Sequence, residues 1–336
     1  MTILTFNKEQ EAHVIGERRA YNEAQKDMSG KNQGRMVGNA YTIPRDAWAT
    51  YDKDLITLQR AELGVFSDLS SLQKSVPIGK ILNYFGKVSD SGEVNSSLDG
   101  RSRAKADAPV LDYEGTPVPI YDTTFTFGWR EVEAARQDGG WQYLDAAARD
   151  NGNRKLIEKM EDLVLNGDDK FTVGSSKVYG LRNAPGRATG TFGNVDLATA
   201  PGAEWVIAIK RVLLGLQAKN FYGGATIYLN YGDWFAASVG DYVTAAPQNT
   251  ILSRLQSIPG VVSFIPSTKV PPNEILAVVK ERRVVEILSA MPITTTPIER
   301  KNFTDEYSFQ IMTAVAPQFK RDAAGNAGYA QFTKGA

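Results

Sequence analysis

The 336-residue chain has no cysteine and a single histidine, His13. The first absence removes disulfide staples, thiolate metal sites and thiol nucleophiles. The second removes histidine-rich zinc sites. Any Ser-His-Asp relay would have to be built on His13, which sits in a polar N-terminal stretch and reads as an exposed surface residue. An excess of one charge is also missing, with 38 Lys and Arg against 38 Asp and Glu. A protein that grips nucleic acid through its phosphates usually shows a basic excess or a basic stripe. Here even the N-terminal stretch sets Arg18, Arg19, Lys26, Lys31 and Arg35 against Glu9, Glu11, Glu17, Glu23 and Asp27. No apolar run approaches the roughly 20 residues that span a bilayer, and Met1 to Glu11 lack the charged-then-apolar layout of a secretory signal. The expected setting is a cytoplasm, or a particle assembled in one.

What is present is ordinary globular composition, 42% hydrophobic and 23% charged, which argues against disorder throughout. Residues 1–45 are polar and helix-compatible without a long apolar stripe, and are broken at Ser29-Gly30-Lys31-Asn32-Gln33-Gly34. They read either as a disordered tail or as an arm that orders against a neighbouring subunit. Pro44 opens a helical spacing in which Trp48, Tyr51, Leu55, Leu58 and Glu62 share a face and Leu63 and Phe66 extend an adjacent one.

Residues 76–127 change character. Ile78, Ile81, Leu82, Tyr84 and Phe85 lead to the polar stretch Ser89-Asp90-Ser91-Gly92-Glu93 and a charged segment through Arg101, Arg103, Lys105 and Asp107. Val110, Tyr113, Pro117, Val118, Pro119, Ile120 and Tyr121 then return. The pattern predicts a long two-stranded excursion with a polar tip, and its prolines place it at an edge or in a projection. An isolated ribbon is marginal in water and needs another surface, which is the first physical sign of assembly.

Thr123 to Phe127 read as a strand, Arg130 to Arg136 as a short helix, and Trp141 to Leu165 as one long helix of ~37 Å, closed by Asn166-Gly167. Asn151-Gly152-Asn153 interrupts that helix's apolar pattern, so two shorter helices are the alternative. Ala203 to Lys219 form an amphipathic helix, and Ala225 to Asn230 a strand. Asp233 to Val239 and Asn249 to Ser257 read as shorter helices, and Val261 to Ile265, Ile275 to Val279 and Arg283 to Leu288 complete a buried mixed region. Tyr307 to Val315 alternate over nine residues and give the clearest strand.

Motifs that carry chemistry are scarce. Gly186 to Gly193 match neither the dinucleotide nor the phosphate-loop spacing and read as a flexible connection. Glu158, Glu161 and Asp162 are acidic neighbours on the long helix, and without partner histidines they read as a solvated or salt-bridged face. Asn166-Gly167-Asp168-Asp169 is too short for a calcium loop and reads as a helix end and turn. No cofactor and no catalytic or metal-binding residue is expected.

The order of these elements resembles the Hong Kong 97-type α+β fold shared by tailed-phage major capsid proteins and encapsulins. Phe125 to Arg136 is similar to the strand-and-helix entry to that family's spine. Leu144 to Ala148 and Glu161 to Gly167 look like the spine helix and its end, and Tyr179 to Gly186 look like the turn that follows. Paired strands around Val278-Val279 and Val284-Val285, then Tyr307 to Val315 and Pro317, also fit. These motifs are individually degenerate, and their order over most of the chain carries the likeness.

The resemblance implies an N-terminal arm (1–45), a helix leading into the peripheral domain (46–75), and an extended β-hairpin loop (76–123) lying across an adjacent subunit. It further implies a peripheral domain (124–184) with its spine helix at 141–165, an axial domain (185–290) around the five-fold and six-fold centres, and a return to the peripheral domain (291–336). Contacts between subunits are expected at Lys80, Tyr84, Lys87, Glu93, Arg101, Arg103, Lys105, Asp112 and Tyr113. Some family members crosslink a lysine to an asparagine of another subunit, but no local motif singles out Lys80, Lys87 or Lys105 for this, and crosslinking is not expected. No long N-terminal scaffold extension is read in the sequence, so the expectation is that scaffolding, where used, would be a separate protein.

The function implied is a structural one. The chain would be a major capsid protein that self-assembles into hexamers and pentamers of an icosahedral shell. That shell encloses double-stranded DNA without sequence-specific binding and forms a virion in the bacterial cytoplasm. Its partners would be many copies of itself, a portal, and scaffolding or decoration proteins, with no membrane. An encapsulin compartment holding cargo enzymes is the alternative, and a soluble enzyme with an unfamiliar site the distant one.

Overall fold

The computed structural model describes residues 15–20, 22, 63–92, 94, 96, 98, 107–137, 141–243 and 249–335. The chain divides into two units, Met1–Gln59 and Arg60–Ala336. Of the first, residues 15–20 and 22 are described, and they are helical and exposed. The rest of the expected N-terminal arm, His13, most of the helix expected before residue 63, and the charged tip of the excursion lie outside the described residues.

The second unit begins with a short helix, α1 (Val65–Leu69), and a 3-10 turn leading into β1 (Gln73–Ser75). A ribbon follows, β2 (Leu82–Val88) and β3 (Leu111–Pro117), then β4 (Ile120–Phe127), α2 (Trp129–Gln137) and the long α3 (Trp141–Asn166). A hairpin of β5 (Gly167–Val173) and β6 (Ser176–Tyr179) leads to β7 (Ala188–Thr191), α4 (Gly202–Gln217), β8 (Ala225–Asn230), α5 (Tyr231–Val239) and α6 (Ile251–Gln256). The last elements are β9 (Val261–Ser267), β10 (Glu274–Val279), β11 (Val285–Pro297), β12 (Tyr307–Phe319) and β13 (Tyr329–Thr333).

These form a four-stranded sheet in the order β1-β11-β12-β4 and a five-stranded sheet in the order β7-β13-β10-β8-β9. The helix α3 lies on β12 and β4, while α4, α5 and α6 pack with the five-stranded sheet. Most of the core is one cluster. It joins Leu156, Met160, Val164 and Leu165 of α3 to Trp205, Ile209, Val212 and Leu216 of α4 and to the inner strands of the second sheet. A smaller cluster of Val76, Val118, Leu163, Val178, Leu288, Ala314 and Ala316 sits at the foot of the ribbon.

The break at Asn151-Gly152-Asn153 does not divide α3. Gly152 is buried against the four-stranded sheet, where a Cβ would run into Ile311 Cδ1 and come within 3.6 Å of Thr123 Cγ2. The glycine lets the helix approach the sheet closely, so its helix-propensity cost is offset by packing. The helix ends where expected, because Gly167 takes φ +72°, the left-handed conformation that stops a helix.

Several expectations are corrected. The glycine-rich stretch at 186–193 is no flexible connection: β7 within it pairs in parallel with β13, and Ala188 and Phe192 are buried. Gly167 leads straight from α3 into β5 rather than into a turn. The valine pairs at 278–279 and 284–285 do not pair with each other, because a tight turn at Glu281 sends β10 into the five-stranded sheet and β11 into the four-stranded one. β12 runs on past Val315 to Phe319, since residues 313–319 are buried and outward-facing polar positions are no longer needed. Residues 291–336 do not all return to the first sheet: β13 lies between β7 and β10, where Tyr329, Ala330 and Phe332 are buried. Ile120 to Thr123, placed in the excursion, already belong to β4.

Candidate assembly surface

The ribbon is the element whose side chains are least accounted for by the unit's own core. β2 and β3 pair antiparallel from Leu82↔Pro117 to Val88↔Leu111. Side chains alternate across a strand, so this register sorts them into two faces. One carries Tyr84, Gly86 and Val88 beside Leu111, Tyr113 and Gly115, and the other Asn83, Phe85 and Lys87 beside Asp112, Glu114 and Thr116.

On the first face each tyrosine stands opposite a glycine. A Cβ on Gly115 would lie 2.9 Å from the Tyr84 ring, and one on Gly86 would lie 3.3 Å from Leu111 Cδ1 and 3.6 Å from the Tyr113 ring. The missing side chains let both rings lie across the strands. The result is a smooth apolar surface with Tyr84 at 59%, Val88 at 59%, Leu111 at 53% and Tyr113 at 60% exposure.

The second face is polar and tied to the subunit's own body. Lys87 Nζ lies 3.2 Å from Asp112 and 3.1 Å from Glu114. The Arg321 guanidinium donates to both oxygens of Glu114, through Nε at 3.0 Å and Nη2 at 3.3 Å. This forked geometry fixes direction as well as distance. Buried Gln318 donates to the Asn83 carbonyl at 3.1 Å and to Thr116 Oγ1 at 3.3 Å, and accepts from Asn83 Nδ2 at 3.0 Å.

Desolvation is the largest single influence on Lys87 and lowers its pKa, but its bonds to Glu114 and Asp112 outweigh it and hold the ammonium above its ordinary value. The hydrogen bond from Lys87 is the main reason the Asp112 carboxyl is held below the usual carboxylate range. Both groups are therefore charged at neutral pH.

At the root, residues 115–119 are buried. Val118 donates to the Ile81 carbonyl, and Val76 to that of Ser289. The prolines of the return strand, Pro117 and Pro119, thus sit in the anchored root rather than on the projecting part.

Of the residues expected to meet neighbouring subunits, Tyr84 and Tyr113 are brought together on the apolar face. Lys87 and Asp112 pair with each other on the opposite face, and Lys80 is exposed in the turn before β2. Glu93, Arg101, Arg103 and Lys105 lie outside the described residues. The sequence reading missed Val88 and Leu111, although Tyr84-x-Gly86-x-Val88 and Leu111-x-Tyr113-x-Gly115 both alternate. It also missed Glu114, Gln318 and Arg321, for which no local signal exists because Arg321 is 207 residues from its partner Glu114.

The acidic neighbours on α3 also divide. Asp162 is surface-paired, 3.9 Å from Lys159 and accepting from Asn166 at 2.7 Å. Glu161 is no solvated residue: it is fully buried. Its carboxylate accepts from the backbone N–H groups of Val65 at 3.1 Å and Phe66 at 2.7 Å, and from Ser267 Oγ at 2.7 Å. It thereby caps α1 and ties α3 to β9. Beside it Asp68 binds Lys280 at 2.6 Å and accepts from the Tyr228 hydroxyl at 2.8 Å. Burial, reinforced by Asp68, pushes that phenol well above its usual range. These groups are spent on holding the two sheets together. Among the described residues no group of three or more His, Cys, Asp or Glu side chains could hold a metal ion, and no helix is long and apolar enough to cross a membrane.

The fold is similar to those of solved structures. The capsid of Myoviridae phage XM1 is 16% identical, with a TM-score of 0.65 over 90% of this chain and 99% of that one. A structure of Mycobacterium phage Bobi is 15% identical, with a TM-score of 0.58 over 85% and 94%. The virus-like particle from Pyrococcus furiosus is 13% identical, with a TM-score of 0.54 over 80% and 92%. The chain therefore has the Hong Kong 97-type capsid fold. No curated protein matches it. It belongs to a family of unknown function, DUF6260, whose model matches residues 38–330.

Proposed function

We propose that the protein is a structural major capsid protein. It would self-assemble into the hexamers and pentamers of an icosahedral shell around the double-stranded DNA of a tailed phage. The observation that carries this reading is the likeness to the phage XM1 capsid, which spans 90% of this chain and 99% of that one. The ribbon supports it independently, with one face tied to its own body and an apolar face in solvent. In this reading the ribbon lies across an adjacent subunit and docks through Tyr84, Val88, Leu111 and Tyr113. Lys80 and, outside the described residues, Glu93, Arg101, Arg103 and Lys105 would join that contact, and Lys87 and Asp112 pair with each other within the ribbon. The five-stranded sheet and its helices form the axial domain around the five-fold and six-fold centres, while α3 and the four-stranded sheet form the peripheral domain.

Head-to-tail contacts of this kind close into rings, and ~1,200–2,000 Å² summed over a neighbour suffices for a specific interface. The role is mechanical rather than catalytic. A portal and scaffolding or decoration proteins complete the partners, the virion is the final location and the host cytoplasm the place of assembly. The net charge of zero suits a shell that must package and release DNA without gripping it.

Electron microscopy of the purified full chain tests this. Closed icosahedral shells are expected, and a protein that stays monomeric at all concentrations would dismiss the reading. The likeness to the Pyrococcus furiosus particle favours one second reading, an encapsulin-type cellular compartment. Contents decide between them: packaged DNA and a portal vertex for the phage, a co-purifying enzyme for the compartment.

A further inference from the structure

Basic side chains from four separate stretches of the chain converge on one cleft of about 590 Å³. Lys87 comes from the ribbon, Lys219 from the end of α4, Arg283 from the turn between β10 and β11, and Lys320 and Arg321 from the residues after β12. Among the described residues Asp322 is the one acid of the lining. Its carboxylate is taken up by its own turn, accepting from the Asn326 backbone N–H at 2.7 Å. The grouping exists only in the fold, since its members are scattered over more than 200 positions.

Carboxylates outside the lining hold four of the five cations in place and leave donors over. Lys87 bridges Asp112 and Glu114, Arg321 spends Nε and Nη2 on Glu114, Lys320 lies 2.8 Å from Glu286, and Arg283 donates to Glu281 through Nε. Glu114 therefore serves two cations at once. Among the described residues Nη1 of Arg321, both terminal nitrogens of Arg283 and the Lys219 ammonium make no bond. The side chains of Lys87 and Lys320 are only 12% and 17% exposed. They are fixed before any ligand arrives, and a preorganised site loses little freedom on binding. Guanidinium forks beside lysine point charges match the oxygens of phosphate groups. The volume falls within the ~300–1,000 Å³ of small-molecule sites, which suits a short phosphate chain rather than a duplex.

We propose that this cleft binds a small, multiply charged phosphate, a free polyphosphate chain whose oxygens bridge Lys87 of the ribbon to Lys219, Arg283, Lys320 and Arg321 of the body. The site is complete within one subunit and does not rest on the shell reading. Its occupant ties the ribbon's polar face more firmly to both sheets.

Calorimetric titration of the full-length protein with inorganic tripolyphosphate tests this. Saturable binding of one tripolyphosphate per chain is expected, and orthophosphate should bind about tenfold more weakly because it reaches fewer of the cations. Lys219 makes no ion pair among the described residues and the Arg283 side chain is 74% exposed, so Lys219→Ala and Arg283→Ala should keep the parental circular dichroism. Each should weaken tripolyphosphate binding about tenfold. Lys170→Ala, at an exposed lysine of β5 outside the lining, should keep the parental affinity. An absence of binding, or equal affinities for the cleft variants and the Lys170→Ala control, would overturn the proposal. Uptake of duplex DNA through Lys219 and Arg283 with none of tripolyphosphate would overturn it as well, and would make the cleft a contact with the genome.

Discussion

A carboxylate sealed from water is tolerable only if its oxygens are occupied, and Glu161 meets that demand with three donors from two other parts of the chain. It receives the first N–H groups of α1 and the hydroxyl of Ser267, so removing it strands donors as well as a charge. Each buried unsatisfied donor costs about 1–3 kcal/mol, and partial relief by an entering water reduces the sum. Glu161→Ala should therefore destabilise the protein by about 3–5 kcal/mol, read as a lower denaturant midpoint. Glu161→Gln keeps one acceptor oxygen and should lose about 1–2 kcal/mol. An alanine variant within experimental error of the parent would mean that the carboxylate is in water after all. The sequence held a faint sign of its burial. Leu163 and Leu165 are both buried, and two residues apart on a helix they point roughly 200° away from each other. The end of α3 is therefore wrapped on more than one side, and an acid there has little solvent to face.

At the scale of elements, the most instructive contact is that of α3 with the four-stranded sheet. Helix propensity alone says that Gly152→Ala should stabilise by about 1 kcal/mol. The new methyl would instead strike Ile311 Cδ1 in a fully buried position, and overpacking of this kind costs about 1–3 kcal/mol. A net loss is expected, and the collision can be tested directly. Ile311→Val removes the struck atom at a cost of about 0.5–1.5 kcal/mol by itself. The double variant should then be more stable than the sum of the two single effects by about 1 kcal/mol or more. Strict additivity would show that the glycine is not there to let the sheet in.

An element is legible in the sequence when it buries one periodic face of its own. α3, α4 and β12 announce themselves because each buries one periodic face along many residues. β7 does not: Ala188-Thr189-Gly190-Thr191 has no apolar alternation, and its partner β13 lies some 140 positions away at the end of the chain. Strand identity there comes from the partner, not from the segment. The two tyrosines of the ribbon could be picked out by type, whereas their shared face required the register, and the Glu114–Arg321 fork required the whole fold.

At the scale of the molecule, the division of apolar surface decides what the ribbon is for. Its root is pinned in the small cluster through Val76 and Val118, and its polar face is tied to the subunit's own body by Arg321 and Gln318. The remaining face contributes little to the stability of a lone subunit, since Tyr84 and Tyr113 are already more than half exposed. Replacing both with serine should shift the unfolding midpoint by no more than about 0.5–1 kcal/mol. If the same rings are buried in every ribbon contact of a shell, each replacement instead removes an anchor whose loss costs about 2 kcal/mol. About 4 kcal/mol per subunit raises the concentration needed for assembly by roughly two to three powers of ten. The Tyr84→Ser, Tyr113→Ser variant should thus remain folded by circular dichroism while sedimenting as free subunits or small rings where the parent forms particles. Particles formed by this variant at the parental concentration would show that the ribbon's apolar face is bystander surface, and that the subunits are held together elsewhere.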